Sequence, residues 1–364
     1  GPALYSSNVM IMEKCADLLP DYYNFVRGVV DSADVSLNIS RETLQHDRQL
    51  KAIARRVEKR VTSDLEDMRD NDREAYETFF ENFGRGLKYG IYASYGMKAA
   101  ELADLLLFWS AREQKMVTLA EYAKAMPEGQ KAIYYAAGDS RERLAKMPVV
   151  TGVLSRGYDV LLLTQDVDEF TFQAMREYVA RDMPKIYEDD AAREAAAKAV
   201  ADGAEPELED RHLELKNVAT GDLDLATEDE KKQAEEATKE HGDLFAAMKE
   251  ALGDKVEKVA VSSRLVGAEE SPACITTEGP LSLEMEKVLQ RGPEGDVEGM
   301  PKSQRVLELN AQHPVFEKLS AAQQDGDSEK VALYAGLLYD QALLVEGILP
   351  EDPVAFAQRV CELM

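Results

Sequence analysis

The sequence predicts an α+β fold, because helix-type and strand-type patterns follow one another along the chain. Apolar residues recur at multiples of a helical turn over long stretches, as at Ile53, Val57 and Val61, with charged residues between them. Shorter apolar runs have the length of strands, as in YDVLLLT at 158–164. Of the 364 residues, 45% are hydrophobic, which is enough to fill the cores of two or three domains.

Residues 3–32 predict the end of an α/β unit, with a strand over 9–12 and a short helix over 13–19 that ends before Pro20. Helical periodicity then dominates the sequence as far as residue 126. It predicts four helices, over 41–69, 73–95, 97–110 and 118–126.

A second α/β unit follows these helices. The runs KAIYYAAG at 131–138 and YDVLLLT at 158–164 are typical of strands. Helix-type sequence begins at Ser140 and is interrupted at Pro148. Two strands joined by helix predict a parallel pair with a right-handed crossover. A helix over 168–181 is predicted after them.

The stretch 188–209 is rich in Ala and Glu, a composition typical of an exposed helix or of a mobile linker rather than of a core. Both alternatives remain open, and we interpret the stretch as an insertion.

The sequence of the last third predicts both helices and strands. A charged helix over 227–252 ends at Gly253, a residue suited to a helix C-terminus. Strands are predicted for KVEKVAVSSRL, SPACITTEG and RVLELN. Helices are predicted over 281–290, 314–323, 328–348 and 352–364, with a Gly- and Pro-rich loop at 291–301.

The charge balance excludes one class of partner. The chain has 69 Asp and Glu against 43 Lys and Arg, a net charge of -26 at pH 7. Such a surface repels phosphate backbones, so we expect no binding to nucleic acid. No stretch approaches the ~20 apolar residues of a membrane-spanning helix. We therefore expect a soluble protein without membrane contact.

The sulfur and imidazole side chains indicate no metal site. Cysteines stand far apart, at Cys15, Cys274 and Cys361, which fits neither a disulfide framework nor paired metal ligands. The four histidines lack the spacing of a zinc helix. A reducing, cytoplasmic setting is the simplest interpretation. Cys15 or Cys274 could act as a nucleophile only beside a base, and neither has a histidine near it in the sequence.

Two apolar stripes are candidates for binding surfaces. One lies on the predicted helix 281–290, and it is either core or an adaptable binding face, since Met suits such faces. Its members are Leu281, Met285, Val288 and Leu289. The other lies on the two C-terminal helices, which either pack within the chain or form a four-helix bundle with a second copy. Its members are Tyr334, Leu337, Leu338, Leu344, Val345, Ile348, Phe356, Val360, Leu363 and Met364.

Several longer runs carry a family resemblance. RGVVDSADVSLNISRETLQ at 27–45 strongly resembles the middle-domain signature of the heat-shock protein 90 chaperones. The resemblance extends in order through LLFWSA, KAIYYAAGDSRERLAKMPVVTGVLSRGYDVLLLTQDVDEF, LKNVATGDLDL and LLYDQALLVEGILPEDPVAFAQRV. Nearly the whole chain is covered.

The resemblance implies that the chain begins inside the middle domain and lacks the family's N-terminal ATP-binding domain. It implies four regions. These are the end of the large α/β subdomain of the middle domain (1–45), a helical connector (46–127), a small α/β subdomain with the insertion (128–226), and a C-terminal dimerisation domain with a terminal helical hairpin (227–364).

The resemblance also implies roles for three residues near the start of a helix. Arg41 would reach the γ-phosphate of ATP bound by the N-terminal domain, and Asn38 and Gln45 would order its loop or reach the phosphate region. A cation in the first turn of a helix is unfavourable unless an anion meets it, which agrees with that role. ATP and Mg²⁺ are thus expected in the intact protein, and no cofactor on this part alone.

Client binding is implied for Glu169, Phe170 and Gln173, and for the stripe on 281–290. This sequence has Phe170 where some relatives have tryptophan and Leu281 where some have methionine. We predict a homodimer that acts, in the intact protein, as an ATP-driven chaperone of unfolded or partly folded clients. The alternatives are an ATP-independent dimeric holdase or scaffold, and an unrelated hydrolase using Cys274 or Cys15.

Overall fold

The computed structural model describes residues 1–33, 35, 48–187, 189–221, 223, 225–265, 267, 271–292 and 301–362. Within them, helices and strands both occur along the chain, which confirms the α+β class. The strands are β1 (Ala3–Ser6), β2 (Val9–Met12), β3 (Val29–Asp31), β4 (Leu107–Ser110), β5 (Lys115–Thr118), β6 (Ala132–Ala137), β7 (Leu161–Leu163), β8 (Glu177–Pro184), β9 (Leu208–Asn217), β10 (Lys258–Val261), β11 (Ala273–Glu278) and β12 (Gln304–Leu309).

The α-helices follow the apolar periodicity of the sequence in most places. They are α1 (Arg48–Asn71), α2 (Arg73–Ala93), α3 (Ala99–Leu102), α4 (Leu119–Ala125), α5 (Arg141–Leu144), α6 (Pro148–Ser155), α7 (Asp168–Met175), α8 (Asp190–Ala201), α9 (Glu228–Glu240), α10 (Gly242–Leu252), α11 (Leu283–Arg291), α12 (Pro314–Gln324), α13 (Ser328–Val345) and α14 (Pro353–Glu362).

The chain folds into two compact units. The first comprises Gly1–Phe108, Met116–Ala125 and Phe170–Glu214, and the second comprises Trp109–Lys115, Met126–Glu169 and Leu215–Met364. The four regions predicted from the sequence stay predictions.

The first unit opens with a small sheet in which β1 pairs antiparallel with β2 and parallel with β3. The helix predicted over 13–19 is wrong, because this segment forms turns. The amide of Cys15 donates to the carbonyl of Pro2 at 3.0 Å, and Cys15 and Leu18 are both buried in the core under the sheet. Contacts with other parts of the chain thus take the place of the backbone hydrogen bonds that a short helix would make.

Helix α2 confirms the prediction over 73–95, and aromatic side chains pack along it. The ring of Phe25 lies 4.8 Å from that of Phe79 and 5.1 Å from that of Phe83, measured between centroids. The helix predicted over 97–110 is wrong in its second half. Helical turns end at Leu105, and residues 107–110 form β4, since their continuous apolar run is buried as a strand.

Helix α7 ends earlier than the predicted 168–181. Arg176 has a φ of +64°, which interrupts the helix, and β8 begins directly after it. In β8 the side chains of Tyr178 and Ala180 are buried, and Tyr178 pairs with Leu213 of β9. The alternating burial of these side chains is that of a half-buried strand, and the segment is therefore a strand and not the end of a helix.

The Ala- and Glu-rich insertion contains α8, which confirms the exposed-helix alternative for its central part. None of the residues of α8 is buried. The side chain of Asp189 caps its first turn by accepting a hydrogen bond from the amide of Ala191.

The second unit contains the predicted parallel pair. Tyr135 in β6 is in register with Leu161 in β7, and α5 and α6 lie between these strands in sequence. The Ser140 side chain caps α5, and Pro148 occupies the first turn of α6. The strand β4 pairs with the other edge of β7, antiparallel.

The single helix predicted over 227–252 is wrong, because it is divided at His241 into α9 and α10. Thr227 and Glu230 form a reciprocal capping box at the start of α9. Gly253, with a φ of +60°, ends α10 and confirms the predicted stop.

A three-stranded sheet forms the centre of the C-terminal part. Its order is β10-β12-β11, with β10 parallel and β11 antiparallel to β12. Met248 of α10, Ile275 of β11, Leu307 of β12 and Leu319 of α12 are completely buried in one core. Helix α13 contributes to the same core.

Candidate functional site

The residues implied in phosphate contact cannot be placed. Asn38, Arg41 and Gln45 lie outside the described residues, and α1 is described from Arg48 onward. Their roles stay predictions.

Helix α7 carries the first set of residues implied in client binding. Gln173 is exposed and Phe170 is half-buried. The rings of Phe170 and Tyr92 form a T-shaped pair with 5.8 Å between their centroids, and Tyr92 is itself 43% exposed. Glu169 is only 4% exposed. Phe170 and Gln173 therefore reach the surface of the protein, whereas Glu169 does not.

The buried carboxylate of Glu169 joins three parts of the second unit. It accepts hydrogen bonds from the hydroxyl of Ser282 at 2.5 Å and from the amide Nδ2 of Asn217 at 2.6 Å. The hydroxyl of Tyr135 lies 3.5 Å away. Burial raises the pKa of Glu169, and the hydrogen bonds from Ser282 and Asn217 oppose that shift. Sequence reasoning missed this cluster, because its members are far apart in the chain.

Helix α11 carries most of the second implied surface. It begins at Leu283, so Leu281 precedes the helix instead of opening it. Met285 is buried, at 5% exposure, whereas Leu281, Val288 and Leu289 are half-buried. The stripe predicted on this helix is thus partly core and partly surface.

A second buried carboxylate holds the middle of α11. Glu286 accepts hydrogen bonds from the amide of Ser303 at 3.0 Å and from Nη2 of Arg305 at 3.1 Å. Burial would raise the pKa of Glu286, but these hydrogen bonds and the charge of Arg305 hold it below its usual value. The guanidinium of Arg305 also donates to the hydroxyl of Tyr339, on α13.

The residues predicted at the dimer interface differ in how far they are buried. Tyr334 and Leu338 are buried in the core of their own chain. Leu344 is 38% exposed, and Leu363 and Met364 lie outside the described residues. The remaining members are half-buried, namely Leu337, Val345, Ile348, Phe356 and Val360. Packing within the chain thus accounts for Tyr334 and Leu338.

Apolar side chains that the sequence prediction omitted are more exposed. Leu349 is 75% exposed and Val354 is 67% exposed. An ion pair between Asp340 and Arg359 holds α14 against α13. An exposed turn and a short helix that carry such residues are a candidate interface.

Glu346, at the end of α13, is buried without a carboxylate hydrogen bond among the described contacts. Its backbone carbonyl accepts a hydrogen bond from Nζ of Lys287 at 3.3 Å. Burial raises the pKa of Glu346 to about 7, although the positive charges of Lys287 and Arg143 oppose this.

Stability should therefore depend on pH through Glu346. Its pKa is higher in the folded than in the unfolded protein, so the folded state binds the extra proton, and stability falls as the pH rises through 7. Between pH 5.5 and 8 this contribution amounts to about 2 kcal/mol. Urea unfolding should show that Glu346→Gln loses this part of the pH dependence and that Glu329→Gln, at an exposed position on the same helix, keeps it. The same pH profile in both variants would contradict the prediction.

The buried thiols do not suit a hydrolase. Cys15 and Cys274 are buried, and burial raises the pKa of both. A catalytic cysteine needs a lowered pKa, because the thiolate is the nucleophile. Neither geometry supports the hydrolase alternative.

The second unit also contains a cavity of about 520 Å³, which the sequence did not indicate. Its walls come from α6, α9 and the three-stranded sheet. Two ion pairs lie at the sheet. Lys258 pairs with Glu278 at 2.5 Å, and Arg264 pairs with Glu308 at 3.7 Å.

Neither a metal site nor a membrane-spanning helix occurs among the described residues. No group of three or more His, Cys, Asp or Glu among them is arranged to hold a metal ion. No helix in the described part of the chain has the length and apolar character needed to cross a membrane.

The comparison with protein families accounts for almost the whole chain. The family model described as Hsp90 protein matches residues 3–212 and 206–364. The chain therefore belongs to the Hsp90 family.

Similar proteins carry the name chaperone protein HtpG. That of Clostridium perfringens (strain ATCC 13124) is 47% identical over 364 residues, which are 100% of this chain and 52% of the relative. Those of Clostridium botulinum (strain Langeland) and Bacillus subtilis (strain 168) are 45% and 43% identical over the same shares. The chain thus spans about half the length of the curated relatives it matches.

Proposed function

We propose that this chain is the middle and C-terminal part of an ATP-dependent chaperone of the Hsp90 type. One observation carries the proposal, namely the family match along nearly the entire chain, together with relatives that are named chaperones. Those relatives are about twice as long, which leaves room for a nucleotide-binding domain in the intact protein. A cytoplasmic location remains a prediction.

In the intact protein, ATP and Mg²⁺ would be bound by that other domain. Arg41 would supply a planar pair of N–H donors to the γ-phosphate, with Asn38 and Gln45 beside it. This assignment rests on the family motif at 27–45.

Client binding would use two separate surfaces. On α7 these are Phe170 and Gln173, and on α11 they are Val288 and Leu289 with the preceding Leu281. On each surface, partly exposed apolar atoms lie on a helix or directly before it. An unfolded polypeptide exposes apolar side chains that such surfaces can cover.

The chain alone should suppress the aggregation of insulin B chains released by reduction, measured by light scattering. Leu289→Gln should weaken the binding of these chains about tenfold, because part of a leucine side chain's burial energy is lost. Val200→Gln is the control, since Val200 is 45% exposed on α8, outside the proposed surfaces. Equal suppression by both variants would exclude α11 as a client surface.

We also propose a homodimer through residues 328–364. The exposed Leu349 and Val354 support it, together with Leu344. Removing the whole segment would not be a clean test, because α13 belongs to the core of its own chain.

Two charges at the exposed positions give a cleaner test of the dimer. The double variant Leu349→Glu, Val354→Glu should sediment as a monomer, because two desolvated carboxylates per chain would outweigh the apolar contacts. Its circular dichroism should remain that of the unaltered protein. Val200→Glu should leave the dimer intact. A double variant that still sediments as a dimer would place the interface elsewhere.

A further inference from the structure

Both carboxylate oxygens of Glu169 are hydrogen-bonded inside its own chain. Oε2 receives the hydrogen bond from Ser282 and Oε1 that from Asn217, with the hydroxyl of Tyr135 at the limit of hydrogen-bond distance. Glu169, Asn217 and Ser282 are each no more than 5% exposed. A polypeptide on the surface of the protein therefore cannot reach this carboxylate without opening the cluster.

The contact with Ser282 acts on the start of α11. Ser282 is the N-cap of this helix, and its hydroxyl oxygen accepts a hydrogen bond from the amide of Met285 at 3.1 Å. A hydroxyl has one proton, and Glu169 accepts it, so the lone pairs are turned toward the helix. The negative charge also lies near the positive end of the helix dipole. Glu169 thus fixes both the cap and its orientation.

The contact with Asn217 fixes Glu169 from the other side. The Oδ1 of Asn217 accepts a hydrogen bond from the amide of Ala219 at 2.8 Å, so its Nδ2 must point toward Glu169. Asn217 is the last residue of β9. The cluster therefore connects the end of a strand to the beginning of α11 through one carboxylate.

We propose that Glu169 is a positioning residue, which holds the N-terminus of α11 through Ser282 and does not itself contact a client. The inference rests on the proposed function of α11 as a client surface. It differs from the role implied for Glu169 by the family resemblance, because it assigns the residue to the support of the surface.

Two measurements on the full chain test the proposal. Amide hydrogen exchange over 282–291 reports the order of α11, and fluorescence anisotropy reports binding of reduced, carboxymethylated lactalbumin as an unfolded probe. Glu169→Gln should accelerate exchange and weaken probe binding by about ten- to a hundredfold, the factor expected from losing hydrogen bonds to a charged group. Asn217→Ala leaves the carboxylate in place and should change both measurements in the same direction. Ser282→Thr keeps the hydroxyl, so amide exchange and probe binding should both stay near those of the unaltered protein.

The outcomes separate the two possible roles. Gln173→Ala, on the exposed side of the same helix, should leave exchange in α11 unchanged. Probe binding that is lost in Glu169→Gln but normal in Asn217→Ala would overturn the proposal, since the carboxylate would then act on the client directly. If the unaltered chain binds no probe, the proposed function fails, while exchange in the Asn217→Ala variant still decides whether the cluster holds α11. The same variant serves if Glu169→Gln does not fold.

Discussion

Replacing Arg41 by alanine in the intact protein is expected to lower ATP turnover by about 10²- to 10³-fold, which is the usual loss when one donor to a charged transition state is removed. Phosphoryl transfer depends on positioning and on stabilising the charge of the transferred group, and a guanidinium supplies two N–H donors for that charge. Nucleotide affinity should change little, because the binding pocket would belong to another domain. Steady-state hydrolysis and a nucleotide titration measure the two quantities.

Arg56→Ala is the matched control for this experiment. Arg56 is exposed on α1, a short distance along the sequence. Its loss should leave turnover unchanged. If Arg41→Ala also turned over ATP at the normal rate, the arginine would have no role in hydrolysis. Normal client protection in that case would favour the ATP-independent holdase.

Substituting Gly96 by alanine should destabilise the first unit by about 2 to 5 kcal/mol. Gly96 has a φ of +83°, a backbone angle that residues other than glycine adopt only at a cost in free energy. An added Cβ would also overlap the backbone carbonyl oxygen of Ala174, on α7. Because a backbone atom cannot move aside as a side chain does, overpacking strain is added to the conformational cost.

Gly203→Ala separates the two contributions to that loss. Gly203 has a φ of +97°, and nothing lies within 4 Å of an added Cβ. Its substitution should cost about 1 kcal/mol from backbone strain alone. Urea unfolding followed by circular dichroism compares the variants. Equal losses would mean that the contact between Gly96 and α7 adds nothing.

The sequence determined the elements whose signals are local. Periodicity predicted α2, and short apolar runs predicted the strands β6 and β7, whose parallel pairing the structure confirms. Ser140, Pro148 and Gly253 marked helix ends correctly, because caps depend on hydrogen bonds and backbone angles within one turn. Family membership followed from motifs distributed along the chain, and comparison with known proteins confirmed it.

Tertiary structure decided the two following cases, in which apolar residues fit more than one pattern. The run at 107–110 was predicted as helix and is a strand, since a short apolar run has no period that distinguishes the two. Tyr334 and Leu338 were predicted at a dimer interface and lie in the core of their own chain, because a stripe shows that a face is buried without showing what covers it. The buried carboxylate of Glu169 accepts a hydrogen bond from Ser282, 113 positions away in the sequence. Only folding brings such residues together, and so only the structure shows a carboxylate hydrogen-bonded to the N-cap residue of α11.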